Sequence, residues 1–396
     1  MKPFIPYAKQ WLDKRDIRAV LKVLDSDWLT QGPLVSKFEQ AMAKSTRARY
    51  ALALNSGTAA LHLAYLAAGI KAGDEVITTP LTFAATSNTL IHIGARPVFV
   101  DIDPETLTID YRKIEERVTK KTKAIACVDF AGHPCEYDEI GRIAKKHNLA
   151  VIDDAAHSLG SQYKEKPIGS IADITTLSFH PVKTITTGEG GMLLTNNKAY
   201  YERAKNLRHH GIVKKPIKGP WYYEIKEPGF NYRITDIQCA LGLSQLKKLA
   251  MFVKKRQEIV NQYNEALAPI PQLILPTQKP YTTPAWHLYI IQLKLEKLRA
   301  NRKKIVEKLI QQGIGVQVHY MPLHLHPYYQ KTFGYKRGDF PVAERYYERV
   351  ITLPLFPKMT QAQVKRVIAS VKDIVTKYSL KKVGKEGDYI NYTRSL

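Results

Sequence analysis

The chain has 396 residues, 44% hydrophobic, 24% charged and 10% aromatic, which suits a folded protein with one large and one small domain and excludes a disordered or collagen-like chain. Sixty basic residues against 36 acidic ones give a net charge of +24. The basic residues are scattered rather than gathered on one aromatic-interleaved segment, so nucleic acid is not the expected partner; a solvated basic surface and attraction of a phosphate-bearing substrate remain.

The first residues, Met1-Lys-Pro-Phe-Ile-Pro-Tyr7, lack the apolar core of a signal peptide. Ile17 to Leu24 and Val35 to Ala43 read as two short helices around the turn Leu29-Thr30-Gln31-Gly32-Pro33. Tyr50 to Leu54 is a strand and Ala59 to Ala68 a helix, joined by Asn55-Ser56-Gly57-Thr58. Those polar residues and His62 interrupt the most apolar stretch, so it is no transmembrane span and no membrane partner is expected. Strands then alternate with helices: Glu75 to Thr79, Pro97 to Asp101, Lys123 to Asp129 and Leu149 to Asp154, against Phe83 to Ile93, Tyr111 to Val118 and Tyr137 to His147. Ile174 to Phe179 and Met192 to Thr195 are two more strands. This alternation predicts an α/β fold with a mainly parallel sheet covered on both faces, its ligands gathered at the strands' carboxyl ends.

Tyr200 to His209 is a helix, Gly211 to Gly229 irregular, and Thr235 to Tyr263 one long helix bridging two domains. The remainder, with strands at Trp286 to Leu293 and Val316 to Tyr320 and helices at Lys303 to Gln312 and Gln361 to Ile374, reads as a small α/β domain. The expected organisation is residues 1–250 as an N-terminal segment plus large domain, 251–377 as the small domain, and 378–396 as a polar tail. Cys127, Cys135 and Cys239 have no metal-ligand spacing and read as reduced, mostly buried thiols, so no metal is expected and the cytoplasm is the expected location.

The chemistry concentrates around Lys183, in Ser178-Phe-His-Pro-Val-Lys183, followed by Thr-Ile-Thr-Thr-Gly-Glu-Gly-Gly191. Upstream, Asp153-Asp154-Ala-Ala-His157 closes the strand from Leu149. A lysine amine after a strand, with a carboxylate on an earlier strand, suits a Schiff base with an aldehyde cofactor whose pyridinium nitrogen the carboxylate keeps protonated. This is the pattern of pyridoxal 5'-phosphate. Asp154 is preferred to Asp153, since neighbouring strand residues point to opposite faces. Ser56, Gly57 and Thr58 offer a phosphate cup with Ser178 adding a hydroxyl; the same residues also make an ordinary helix cap. Phe83 either stacks on the cofactor ring or packs in the core, and His157 either meets the ring or its phenolic oxygen, or packs.

These residues resemble the DegT/DnrJ/EryC1 sugar aminotransferases, of fold type I among pyridoxal-phosphate enzymes. The resemblance runs from about Leu29 to about Pro357 and also takes in Leu-Thr-Gln-Gly-Pro33, Arg208-His-His-Gly211, Gly229-Phe-Asn-Tyr-Arg233, Trp286-His-Leu-Tyr289 and Val318-His-Tyr320. It implies that Lys183 forms the Schiff base and shuttles protons, Asp154 pairs with the pyridine nitrogen, and Ser56, Gly57, Thr58 and Ser178 hold the phosphate. It further implies that Phe83 and His157 flank the ring, that Asn231 reaches the phosphate of a neighbouring subunit in a homodimer with shared sites, and that Thr30, His319 and Tyr320 meet a nucleotide sugar. Within the family, Asp25-Ser-Asp-Trp-Leu-Thr-Gln-Gly32, Asp129-Phe-Ala-Gly132 and Gln317-Val-His-Tyr320 are most similar to the C4 aminotransferase branch of pseudaminic acid biosynthesis. That branch implies L-glutamate as donor, a UDP-linked 4-keto-6-deoxy-N-acetylhexosamine as acceptor, and ping-pong kinetics. The rival expectations are a sugar aminotransferase acting on a dTDP- or GDP-linked or C3-keto sugar, and a basic regulatory protein using the same fold without turnover.

Overall fold

The computed structural model describes residues 3–380. The expected polar tail therefore lies, after Leu380, outside the described residues. Seven strands form the central sheet: β1 (Tyr50–Leu54), β2 (Glu75–Thr78), β3 (Arg96–Phe99), β4 (Thr122–Val128), β5 (Ala150–Asp154), β6 (Ile174–Ser178) and β7 (Gly191–Thr195), in the order β1-β7-β6-β5-β4-β2-β3. The neighbours from β6 to β3 pair in parallel, and β7 runs antiparallel to both β1 and β6. Six strands thus share one direction, and their carboxyl ends form one edge.

Side chains alternate across this sheet, as the two-residue period requires. Leu52 and Leu54 join the apolar residues of the helix Gly57–Ala67 on one face. Ala51, Ala53 and Cys127 join Ile140 and Ile143 of the helix Tyr137–His147 on the other. A separate apolar core gathers Tyr289, Ile291, Leu293, Ile351 and Leu353 from a three-stranded sheet with Val364, Val367 and Val371 of the helix Gln361–Lys377. Ile5 belongs to this core, its backbone bonded to Gly313 and Gly315.

Five expectations need correction. Tyr111 to Val118 is two short 3-10 turns, Tyr111–Lys113 and Glu115–Arg117. Ile114 is its one fully buried anchor, and one anchor makes no helical stripe. Thr235 to Tyr263 is two helices, Asp236–Leu246 and Leu249–Leu267. The chain turns at Lys248, whose buried ammonium pairs with buried Asp16. Gly211 to Gly229 contains a hairpin, Ile212–Lys214 against Tyr223–Ile225. Val316 to Tyr320 is extended but makes only one bridge, Gln317 with Thr352. The strand expected from Trp286 starts at Tyr289, because Trp286 itself is left-handed at φ 51°.

Candidate active site

Three strand ends meet at one cavity of about 420 Å³. After β1 comes Ser56, which caps the helix Gly57–Ala67: its Oγ accepts from the Ala59 amide at 3.0 Å. At the end of β5 stands Asp154, and at the end of β6 stands Ser178. Ser56, Gly57, Thr58, Asp154, Ser178 and Lys183 all line this cavity, together with Phe83, His157, His319 and Tyr320. Lys183 sits in the turn after β6, its amide bonded to the His180 carbonyl at 2.9 Å. The run that follows folds back: the Phe179 amide donates to the Gly190 carbonyl, and Thr187 donates its amide to Phe179.

Two glycines let backbone come this close. A Cβ on Gly57 would lie 2.9 Å from Ser178 Cβ, and one on Gly191 only 2.3 Å from the Ser56 carbonyl oxygen. Any larger residue would push into the space between the helix N-terminus and Ser178, where a phosphate meets free amide donors.

The electrostatics separate the titratable groups. Lys183 opens to the cavity, but dense protein around its amine disfavours the charge and lowers its pKa to about 8, against the opposing pull of the Asp154 carboxylate. Burial raises the Asp154 carboxyl; hydrogen bonds from the Thr86 hydroxyl (2.6 Å) and the Ala156 amide (3.2 Å), with the Lys183 charge, act against this. His157 is pushed well below its ordinary value by burial and then by Lys183. Its Nδ1 accepts from the Ala131 amide at 3.3 Å, which leaves the proton of the neutral ring on Nε2, 3.5 Å from the Tyr320 hydroxyl. Burial and the Lys183 charge lower His319 to about 4. His157 and His319 thus stand as neutral imidazoles beside the Lys183 amine and the Asp154 carboxyl.

The choice between the two acids resolves by face. Asp153 points to the opposite side of the sheet; burial first, and then Asp129, raise its pKa well above the ordinary value. Neither carboxyl oxygen of Asp153 has a partner among the described residues. Phe83 is 60% exposed and stands 6.1 Å from the Tyr320 ring, so it is a cavity wall and not core. Thr30 and Asn231 do not line this cavity. Thr30 is exposed and bridges Thr235; Asn231 is exposed and bridges His209.

Several cavity residues received no role from the sequence: Tyr7 has no motif around it, whereas Phe130, His180, Glu189 and His287 lie inside runs noted above. Tyr7 arrives from the N-terminal segment, its ring 5.7 Å from His319. His287 lies 4.3 Å from the His157 ring, and Phe130, His180 and Glu189 also line the cavity. Thr86 lies behind Asp154, in the first turn of the helix Ala85–His92. Its signal would have been a hydroxyl three residues after Phe83, which only the folded helix turns toward the acid.

The residues present fit a pyridoxal phosphate. The glycine-lined space at the helix N-terminus suits its phosphate, the buried carboxylate its ring nitrogen, and the amine of lowered pKa its aldehyde. The volume is that of a small-molecule pocket. No cluster of His, Cys, Asp or Glu among the described residues could hold a metal ion.

Known proteins give the same picture. Residues 10–372 match the DegT/DnrJ/EryC1/StrS aminotransferase family. The spore coat polysaccharide biosynthesis protein SpsC of Bacillus subtilis is 46% identical over 94% of this chain and 97% of its own length. A Campylobacter jejuni protein named UDP-4-amino-4,6-dideoxy-N-acetyl-beta-L-altrosamine transaminase is 42% identical over 94% of this chain and 98% of its own. Among solved structures, Helicobacter pylori PseC, an aminotransferase involved in the biosynthesis of pseudaminic acid, superposes with a TM-score of 0.90 at 36% identity, covering 95% of this chain and 100% of its own.

Proposed function

From the premise that the chain belongs to the DegT/DnrJ/EryC1/StrS aminotransferase family, and is a pyridoxal-phosphate-dependent sugar aminotransferase, we propose that it moves the amino group of L-glutamate to C4 of a UDP-linked 4-keto-6-deoxy-N-acetylhexosamine. The observation that carries the chemistry is the cavity that Lys183 and Asp154 share. The sugar rests on the names borne by the Campylobacter and Helicobacter relatives.

When bound, pyridoxal phosphate supplies an aldehyde that carries the amino group and a pyridinium ring that draws electrons from the carbon losing its proton. Lys183 takes the proton from glutamate Cα and later gives one to sugar C4; an amine of pKa near 8 can do both near neutral pH. Asp154 holds the ring nitrogen charged. Ser56, Gly57, Thr58 and Ser178 would hold the phosphate, and Phe83 and His157 would flank the ring. His319 and Tyr320 hold the sugar, with Thr30 left to its outer, nucleotide end. Asn231, exposed and outside the cavity, serves the phosphate of a second copy in a homodimer.

A panel of UDP-, dTDP- and GDP-linked keto sugars, each with glutamate, tests this reading by the aminated product formed. UDP-linked C4 product at the highest kcat/KM supports it. The likeness to SpsC favours a second reading, another nucleotide keto sugar feeding a polysaccharide, and a preference for one of those sugars selects it. Lys183→Ala abolishes turnover by at least about a thousandfold while pyridoxal phosphate still binds. Normal transamination by that variant removes Lys183 from the mechanism.

A further inference from the structure

Two threonine hydroxyls stand in file behind Asp154. Thr86 Oγ1 donates to Asp154 Oδ2 at 2.6 Å, and the Thr82 and Thr86 hydroxyls are 2.7 Å apart. Both threonines are buried, with no more than 1% of their surface exposed. The backbone around Thr86 is pinned twice. Its carbonyl accepts from the buried Tyr65 hydroxyl at 2.8 Å, and its amide donates to the Phe83 carbonyl at 3.3 Å.

The file has a direction. A hydroxyl has one proton to give, and an ionised carboxylate only accepts. The Thr86 proton therefore goes to Asp154, and the Thr82 hydroxyl turns to donate to Thr86. Each bond polarises the next. A protonated Asp154 would present a competing donor wherever its own hydrogen pointed at Thr86, and the sequence of donors would have to reverse. Burial alone favours that protonated form, because nothing else in the pocket but Lys183 and one backbone amide supports the anion.

We propose that Thr86, backed by Thr82, is a positioning residue that keeps Asp154 ionised and fixes the plane of its carboxylate toward the pyridine nitrogen. This inference rests on the reading of Asp154 given above. A neutral acid at that position could not hold the ring nitrogen in its charged form, and the electron-drawing power of the ring would fall with it. The first turn of the helix Ala85–His92 and the Phe83 that precedes it would then both serve the cofactor, Thr86 through Asp154 and Phe83 at the ring.

The test is the nitrogen-15 signal of ring-labelled pyridoxal phosphate bound to the full chain, followed from neutral to alkaline pH, beside kcat and KM. Thr86→Val removes the hydroxyl and little volume. The ring nitrogen is expected to lose its proton about one pH unit or more below wild type, and kcat to fall about tenfold or more, the size expected for a lost hydrogen bond to a charged group. Thr86→Ser restores both. Thr82→Val shifts the signal the same way by less, and carries the test if Thr86→Val does not fold. A Thr86→Val, or in its place a Thr82→Val, signal that tracks wild type overturns the inference, while loss of the charged nitrogen in Asp154→Asn leaves the reading of Asp154 standing. A signal unchanged in Asp154→Asn as well removes that reading, and the inference with it.

Discussion

Lys183 illustrates how a single amine acquires its use from its surroundings. An ordinary lysine is almost wholly charged at neutral pH and a poor nucleophile. Here burial lowers the pKa to about 8, and the carboxylate of Asp154 stops it falling further. The sign follows directly. The folded protein sheds this proton more readily than the unfolded chain, so between about pH 8 and the ordinary lysine range near 10.5 the stability rises with pH. Below pH 8 the burial penalty on the charge is fully present. For reactivity the same shift moves the supply of neutral amine into the physiological range. Covalent uptake of pyridoxal phosphate by the cofactor-free protein is expected to quicken about tenfold per pH unit below pH 8 and to level off above it. Stopped-flow absorbance at fixed cofactor concentration measures this. A rise continuing toward pH 10 would show an unperturbed lysine.

Among the elements, the parallel strands were legible because each is a short apolar run closed by a polar residue, and after β1, β5 and β6 those polar residues line the cavity. Ser56, Asp154 and Ser178 were readable for that reason. So was the preference for Asp154, since the alternation of faces is a property of any strand. What resisted reading depended on partners far along the chain. Thr235 to Tyr263 has the composition of one helix. It is interrupted at Lys248, whose ammonium reaches Asp16 of the helix Lys14–Leu24, 232 residues away. Tyr7 is likewise carried into the cavity by a distant segment, and no spacing around it announces it. The Asp16 contact can be tested alone. Asp16 also accepts from Ser244 and Gln245, so it holds the N-terminal helix against the two helices that follow the site. Asp16→Ala leaves a buried ammonium with only half-exposed Asp13 beside it and is expected to cost on the order of 3 kcal/mol. Chemical denaturation measures the loss; a change below about 0.5 kcal/mol would place Lys248 among ordinary surface ion pairs.

For the whole molecule, the common direction of six strands brings their carboxyl ends to one edge, where those of β1, β5 and β6 meet at the cavity, and reversal of β7 brings Gly191 back against Ser56 beside them. Two residues singled out in the sequence stay outside that edge: Thr30 and Asn231 are exposed and do not line the chain's own cavity. Their motifs were legible but their roles were not: within one chain Thr30 bridges Thr235 and Asn231 bridges His209, and neither contact points to a ligand. The Asn231 assignment is open to a mixing experiment. Lys183→Ala destroys the site of the subunit that bears it, and Asn231→Ala, on this reading, damages the site of its neighbour. In a mixed dimer one site then carries both defects and the other carries neither. Equal amounts of the two variants, coexpressed, give half mixed dimers, so activity should recover to about one quarter of wild type from two nearly inactive parents. The recovery must be lost when both substitutions are placed on one chain and that double variant is mixed with either parent. Activity no greater than the sum of the separate variants would return Asn231 to its own subunit, and would leave the cavity of a single chain to supply every contact to the cofactor.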